Sequence, residues 1–148
     1  MSFNHLFSPI KIRGMEFKNR VVFPAMGTKM PTEDKYVTQQ IIDYHVARAL
    51  GGNGLNFTEV CGVHDPSTPK HFLSIADDKY IPELKKLTDA IHAAGGKAGV
   101  QLWQGGMATA SFQKTGIILS SDTPIQGSDF VMPGASIEVI KEIVQAFA

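Results

Sequence analysis

A single cysteine among 148 residues, Cys61, excludes an internal disulfide and leaves a thiolate metal site without its ligands. The five histidines, His5, His45, His64, His71 and His92, are scattered without close ligand spacing, so no metal is expected. Neither sign of charge is in excess. Fourteen basic and fourteen acidic side chains cancel, which argues against nucleic acid or an anionic membrane surface as a partner. No apolar run approaches the roughly 18 residues needed to cross a bilayer. The start, MSFNHLFSPIKIRG, lacks a basic segment followed by a long apolar core, so a cytoplasmic location is the expectation.

What is present reads as one globular α/β domain over residues 1–148, with 43% hydrophobic and 19% charged residues. Residues 6–20 alternate apolar and polar on both sides of Arg13-Gly14, the pattern of a short hairpin. A strand follows over Val21 to Phe23. A helix is predicted from the N-cap Thr38, with Ile42, Val46, Ala49 and Leu50 on its apolar face and Gly51-Gly52 at its end. Gly54 to Val60 is the next strand, and a loop rich in turn formers leads to a second helix around Pro82. That helix carries Leu84, Leu87, Ile91 and Ala94 on one face and stops at Gly95-Gly96. Lys97 to Trp103 is a third strand. After a long loop from Gln104 to Gly134, Ser136 caps a last helix with the stripe Ile137, Ile140, Ile143, Val144 and Phe147.

The succession helix, Gly-Gly, strand occurs twice, which implies parallel strands with right-handed crossovers. An open doubly wound sheet that binds nucleotides usually carries a glycine-rich turn after its first strand, whereas PAMGTKM has one glycine there, so a barrel is favoured. A full barrel takes about 250 residues. The chain is therefore expected to be the truncated N-terminal part of one.

The segments FSPIKIRGMEFKNRVVFPAMGT, GLNFTEV and KAGVQLWQGG, in that order, resemble the N-terminal part of the Old Yellow Enzyme family. These are FMN-dependent NADH:flavin oxidoreductases of ene-reductase type, dienoyl-CoA reductases among them. The resemblance implies a (β/α)8 (TIM) barrel with the hairpin plugging its bottom and the flavin across the opposite rim. It implies NADH or NADPH as reductant and an activated alkene as substrate. Pro24, Ala25, Met26, Gly27, Val60 and Gln101 become the expected flavin contacts. Small residues let the main chain approach a flat ring, and the Gln101 amide offers a donor and an acceptor to the pyrimidine edge. Thr28 and Trp103 fall on the substrate side. No catalytic acid is expected within these residues, because the family's substrate anchors, proton donor and phosphate-binding loops lie in the second half of its barrel.

Two departures stand out. Gly27 occupies a position where the family commonly has a side chain near the reactive flavin edge, and Gln104-Gly105-Gly106-Met107 replaces the common His-x-Gly-Arg. Beside the functional readings stand blander ones. Gln101 could be a polar strand residue satisfied by neighbours, Met26 core filler, and Trp103 a ring packed under the long loop. Glu59, within a strand that reads as buried, calls for a structural ion pair or a hydrogen bond to backbone rather than catalysis. Cys61 reads as a buried thiol. His64, His71 and the cluster Glu33, Asp34 and Lys35 read as solvated loop. Uncovered sheet edges would favour self-association or pairing with the missing C-terminal part of the barrel.

Overall fold

Arg13, at a φ of 51°, takes the left-handed position of the first turn, and Gly14 follows it. The turn joins β1 (Ile10–Ile12) to β2 (Met15–Phe17) as an antiparallel ribbon in which Ile12 faces Met15. The computed structural model describes residues 3–148. Asn19 leads out of the ribbon, and its side-chain amide donates to the Gly52 carbonyl at 2.6 Å. A Cβ on Gly54 would lie 2.8 Å from the Asn19 carbonyl, so only glycine fits where the two segments cross.

The main sheet is parallel. β3 (Val22–Phe23) pairs with β4 (Leu55–Gly62), and β4 pairs on its other side with β6 (Lys97–Trp103). Leu55 stands beside both Val22 and Lys97, which aligns the three N-terminal ends. The hairpin sits at that end. Ile10, Ile12 and Phe17 enclose an apolar cavity of about 140 Å³ with Val22 and Leu55. Between Phe57 and Val60 the β4–β6 register shifts, after which Val60 stands beside Gln101 and Cys61 beside Leu102. The expected connection after Val60 is partly regular. β4 runs on to Gly62, and β5 (Leu73–Ser74) returns parallel to it, with Cys61 beside Leu73.

Two helices cover one face. α1 (Gln39–Leu50) is capped by Thr38, whose hydroxyl accepts from the Ile41 N–H at 3.3 Å. α2 (Ile81–Ala93) has Pro82 in its first turn, where a missing N–H costs nothing. Ile41, Leu87, Ile91, Leu73 and Cys61 are fully buried between helices and sheet. Burying each of the larger ones is worth about 2 kcal/mol. The predicted face of α1 is corrected here. Its buried residues are Ile41, His45 and Ala49, while Ile42 and Val46 are half-buried and Leu50 is 71% exposed. His45 turns inward because Phe23 and Tyr44 pack edge-on against its ring, and its carbonyl accepts from the Asn56 amide at 3.2 Å.

The long loop after β6 holds a 3₁₀ segment, Gly106–Ser111, and a small antiparallel pair, β7 (Thr123–Pro124) with β8 (Val131–Met132). α3 (Ile137–Ala146) begins at the Ser136 cap as expected, yet none of its residues is buried. Among the described residues no helix is long and apolar enough to cross a membrane.

Candidate functional site

Parallel pairing puts the C-terminal ends of β3, β4 and β6 on one rim, away from the hairpin. Cross-strand partners in a sheet share a face, and neighbours along a strand alternate. Cys61 belongs to the helix-covered core, so Val60 and its partner Gln101 point to the opposite, helix-free face. Gln101 is exposed, and among the described residues its amide has no hydrogen-bond partner. Trp103, two residues on, lies on the same face. Gly99 completes that row beneath the Phe57 ring, where a Cβ would come within 2.9 Å.

The segment 24–27 emerges from the end of β3, whose ladder stops at the Phe23–Asn56 pair. Pro24 is exposed, Ala25 partly exposed and Met26 55% exposed, so Met26 does not fill the core. Gly27 has no left-handed φ, and a Cβ there would meet only the Phe72 ring at 3.7 Å, an ordinary contact. The chain's own packing does not demand glycine at this position. Its bareness fits a close approach from outside. Donor and acceptor groups on a bare rim, an unpartnered carboxamide and a flat helix-free face are what a planar heteroaromatic ring requires.

Half-buried Thr28 and fully buried Glu59 lie beneath the site. The Thr28 hydroxyl donates to Glu59 Oε1 and accepts from the Met30 N–H at 3.2 Å. Glu59 is fully buried and its second oxygen has no partner among the described residues, so burial pushes its carboxyl above the usual range, with Thr28 and Lys29 acting the other way. Among the described residues Glu59 closes no ion pair; Thr28 supplies its hydrogen bonds, from the hydroxyl and from the backbone, the second as expected. Lys29, at a φ of 64°, lays its ammonium over two rings, 3.8 Å from the Phe72 centroid and 3.4 Å from that of Phe112. Phe72 in turn stacks on Trp103, 5.3 Å apart at 14°. Trp103 therefore both faces the open side of the sheet and packs beneath the long loop. Gly105 is required there, because a Cβ would fall 2.5 Å from the indole and 2.3 Å from the Thr109 hydroxyl.

Cys61 is buried, and desolvation pushes its thiol up to about 12, which leaves it unreactive. His64 is not a solvated loop residue. Its Nδ1 meets the Ser67 hydroxyl at 3.0 Å and its Nε2 meets Glu142 of α3 at 3.1 Å. His71 is exposed, with Nδ1 2.9 Å from the Pro31 carbonyl. The Glu33 to Lys35 cluster is pinned by Lys70 on Glu33 and by Lys35 on Asp65. Among the described residues no group of His, Cys, Asp and Glu is arranged to hold a metal.

A roomier cavity, about 620 Å³, lies by Lys35, Asp65, Lys70, Lys79 and Tyr80. Most of its charges are already paired, Lys70 with Glu33 and both Lys35 and Lys79 with Asp65. Asp65 accepts from Ser74, Tyr80, Lys35 and Lys79. The donors around it hold its carboxyl below the usual range even though burial pushes the other way. The rim, with unpartnered groups on an open face, is the better candidate.

Residues 5–148 match the model of the NADH:flavin oxidoreductase / NADH oxidase family. The NADH oxidase of Thermoanaerobacter brockii is 34% identical over 149 residues, covering 98% of this chain and 23% of that protein. The NADPH dehydrogenase of Listeria monocytogenes is 31% identical over 144 residues, covering 96% of this chain and 42% of its own. In three dimensions the chain is similar to the old yellow enzyme homologue of Zymomonas mobilis, with a TM-score of 0.77 at 22% identity, over 96% of this chain and 42% of that one. The fold is thus part of the barrel that these proteins share, and the chain spans less than half the length of each of them.

Proposed function

Because the chain belongs to the NADH:flavin oxidoreductase / NADH oxidase family, we propose that it is the flavin-contacting N-terminal part of an FMN-dependent oxidoreductase of ene-reductase type. When bound, FMN would supply two-electron chemistry, the relay of a hydride from NADH or NADPH to the β-carbon of an alkene activated by a carbonyl or thioester, with a proton added at the neighbouring carbon.

The residues of this chain bind and orient. The main chain of Pro24, Ala25, Met26 and Gly27 would lie against the ring, with least side-chain bulk at Ala25 and Gly27. Gln101 gives its amide to the pyrimidine edge, and Val60 beside it presents its backbone and a small apolar surface. Thr28 and Glu59 hold the loop after β3 from below, and Trp103 bounds the site where the substrate enters. The proton donor is assigned to no residue of this chain. The observation that carries this reading is the side-by-side placement of Val60 and Gln101 on the helix-free face, at the same rim as residues 24–27.

Adding FMN to the purified protein and desalting tests it. Retained yellow absorbance with altered flavin fluorescence supports the flavin site, and oxidation of NADH or NADPH dependent on an enone supports the full reaction. A colourless product contradicts the flavin assignment.

A second reading has its own observation. The outer edges of β3 and β6 are unpaired among the described residues, and Val22, Val100 and Leu102 are 50%, 42% and 44% exposed. Such edges favour association with another copy or with a C-terminal half of the barrel, in which case this chain alone does not turn over. Sedimentation would then find a dimer or larger species, and a monomer would contradict it.

A further inference from the structure

Lys29 combines a left-handed backbone with a cation partly withdrawn from water. Its backbone adopts a left-handed conformation, uncommon for a residue with a side chain. Burial of part of its side chain holds its pKa below the usual range, the field of Glu59 opposing this. Lys35 makes a useful contrast. It has a similar φ of 70°, but its ammonium closes on Asp65, 2.7 Å from the carbonyl and 3.4 Å from the carboxylate. The Lys29 ammonium has no ion-pair partner among the described residues. Its neighbours are the faces of Phe72 and Phe112, which stabilise a cation on one side and leave its remaining N–H bonds free.

The position of this cation matters as much as its lack of an anion. Phe72, beneath it, also touches the space above Gly27 and stacks on Trp103, which shares the open face with Gln101. The ammonium is therefore fixed beside the rim assigned above to the flavin and its substrate. Buried Glu59 acts on it through its field, and no ion pair joins the two among the described residues.

We propose that Lys29 is a specificity-determining residue that takes the carboxylate of a planar, conjugated acid bound at this rim. This rests on the flavin reading for the chemistry that follows binding, but not for the binding itself. A carboxylate arriving here would complete the ion pair that the chain withholds, with a charge-assisted hydrogen bond from an exposed ammonium that already rests against two rings.

The test compares cinnamate with its neutral isostere cinnamamide by titration calorimetry, using the protein with and without added FMN. Cinnamate should bind about tenfold more tightly, the worth of one charge-assisted hydrogen bond. Lys29→Gln should bring the two affinities together, whereas Lys29→Arg should retain the preference. An equal preference in wild type and Lys29→Gln, or no preference in wild type, overturns the proposal. So does a parallel loss of both ligands in Lys29→Gln, which would mean that Lys29 only staples the loop to the rings. Loss of NADPH affinity in Lys29→Gln with the cinnamate preference unchanged overturns it too, assigning the charge to the nucleotide. Failure to retain FMN contradicts the flavin reading alone, because the preference for the acid is still measured on the flavin-free protein.

Discussion

The two faces of the β3–β4–β6 sheet are made by the same strands and differ in almost every other respect. On the helix-covered face Ile41, Leu73, Leu87, Ile91 and Cys61 are completely buried, and their shapes are fixed by one another. On the open face and its rim stand Gln101, Met26 and Gly27, exposed and unconstrained by neighbours in the chain. The contrast separates residues that the fold needs from residues that it merely displays. Alterations on the covered face should act on stability, and those on the open rim should act on ligand retention.

The largest effect is expected on the covered face. Leu87→Ala should lower unfolding free energy by about 2–5 kcal/mol, the usual range for a truncated core leucine, measured by urea denaturation. A cost below about 1 kcal/mol would mean that the two helices do not clamp the sheet as described.

His45 sharpens the same comparison by acid. It is 1% exposed, both ring nitrogens are unpartnered among the described residues, and burial, helped by Arg48, lowers its pKa from 6.5 to about 4. The neutral ring is the form that the folded state accepts. Stability from this group is therefore complete above the unfolded value of 6.5 and is lost as pH falls through the window down to about 4. The loss amounts to about 3 kcal/mol. Denaturation of wild type and His45→Leu across that window checks it, the variant losing less stability on acidification. Identical pH slopes would place the imidazole in contact with water.

On the open face, Gln101→Leu should leave the unfolding free energy within about 0.5 kcal/mol, as is usual for an exposed site. It should weaken FMN binding about tenfold, read by flavin fluorescence, since one or two hydrogen bonds are removed. The smallest expected effect on the fold comes from Gly27→Ala. A Cβ there fits the chain, so stability should stay level or rise by up to about 1 kcal/mol. FMN retention should nevertheless fall, because the methyl group would occupy the surface that the proposal gives to the ring.

Legibility in the sequence followed the same division. The strand Lys97–Trp103, the caps Thr38 and Ser136, and the paired glycines that end α1 and α2 express local chemistry, and they stand where local patterning placed them. The inward face of α1 did not. Hydropathy counts histidine as polar and leucine as apolar, whereas Phe23, Tyr44 and the Asn56 amide draw His45 inward and leave Leu50 in water. At the site, the row of small residues before Thr28 and the glutamine of β6 were readable as bare backbone and a free amide. Glu59 on Thr28, and Lys29 on Phe72 and Phe112, join residues far apart in the chain, so no local signal announces them. A buried acid in an apolar strand was the one hint, since such a group must find a partner or shift its protonation.

The most direct measurement is backbone amide NMR during titration with FMN. A flavin lying on the shared rim should shift the resonances of Ala25, Met26, Gly27, Val60 and Gln101 together, while those of Leu87 and Ile91 in α2 hold still. Shifts concentrated at the helices or the hairpin, or no saturable shifts at all, would contradict the assignment of the rim.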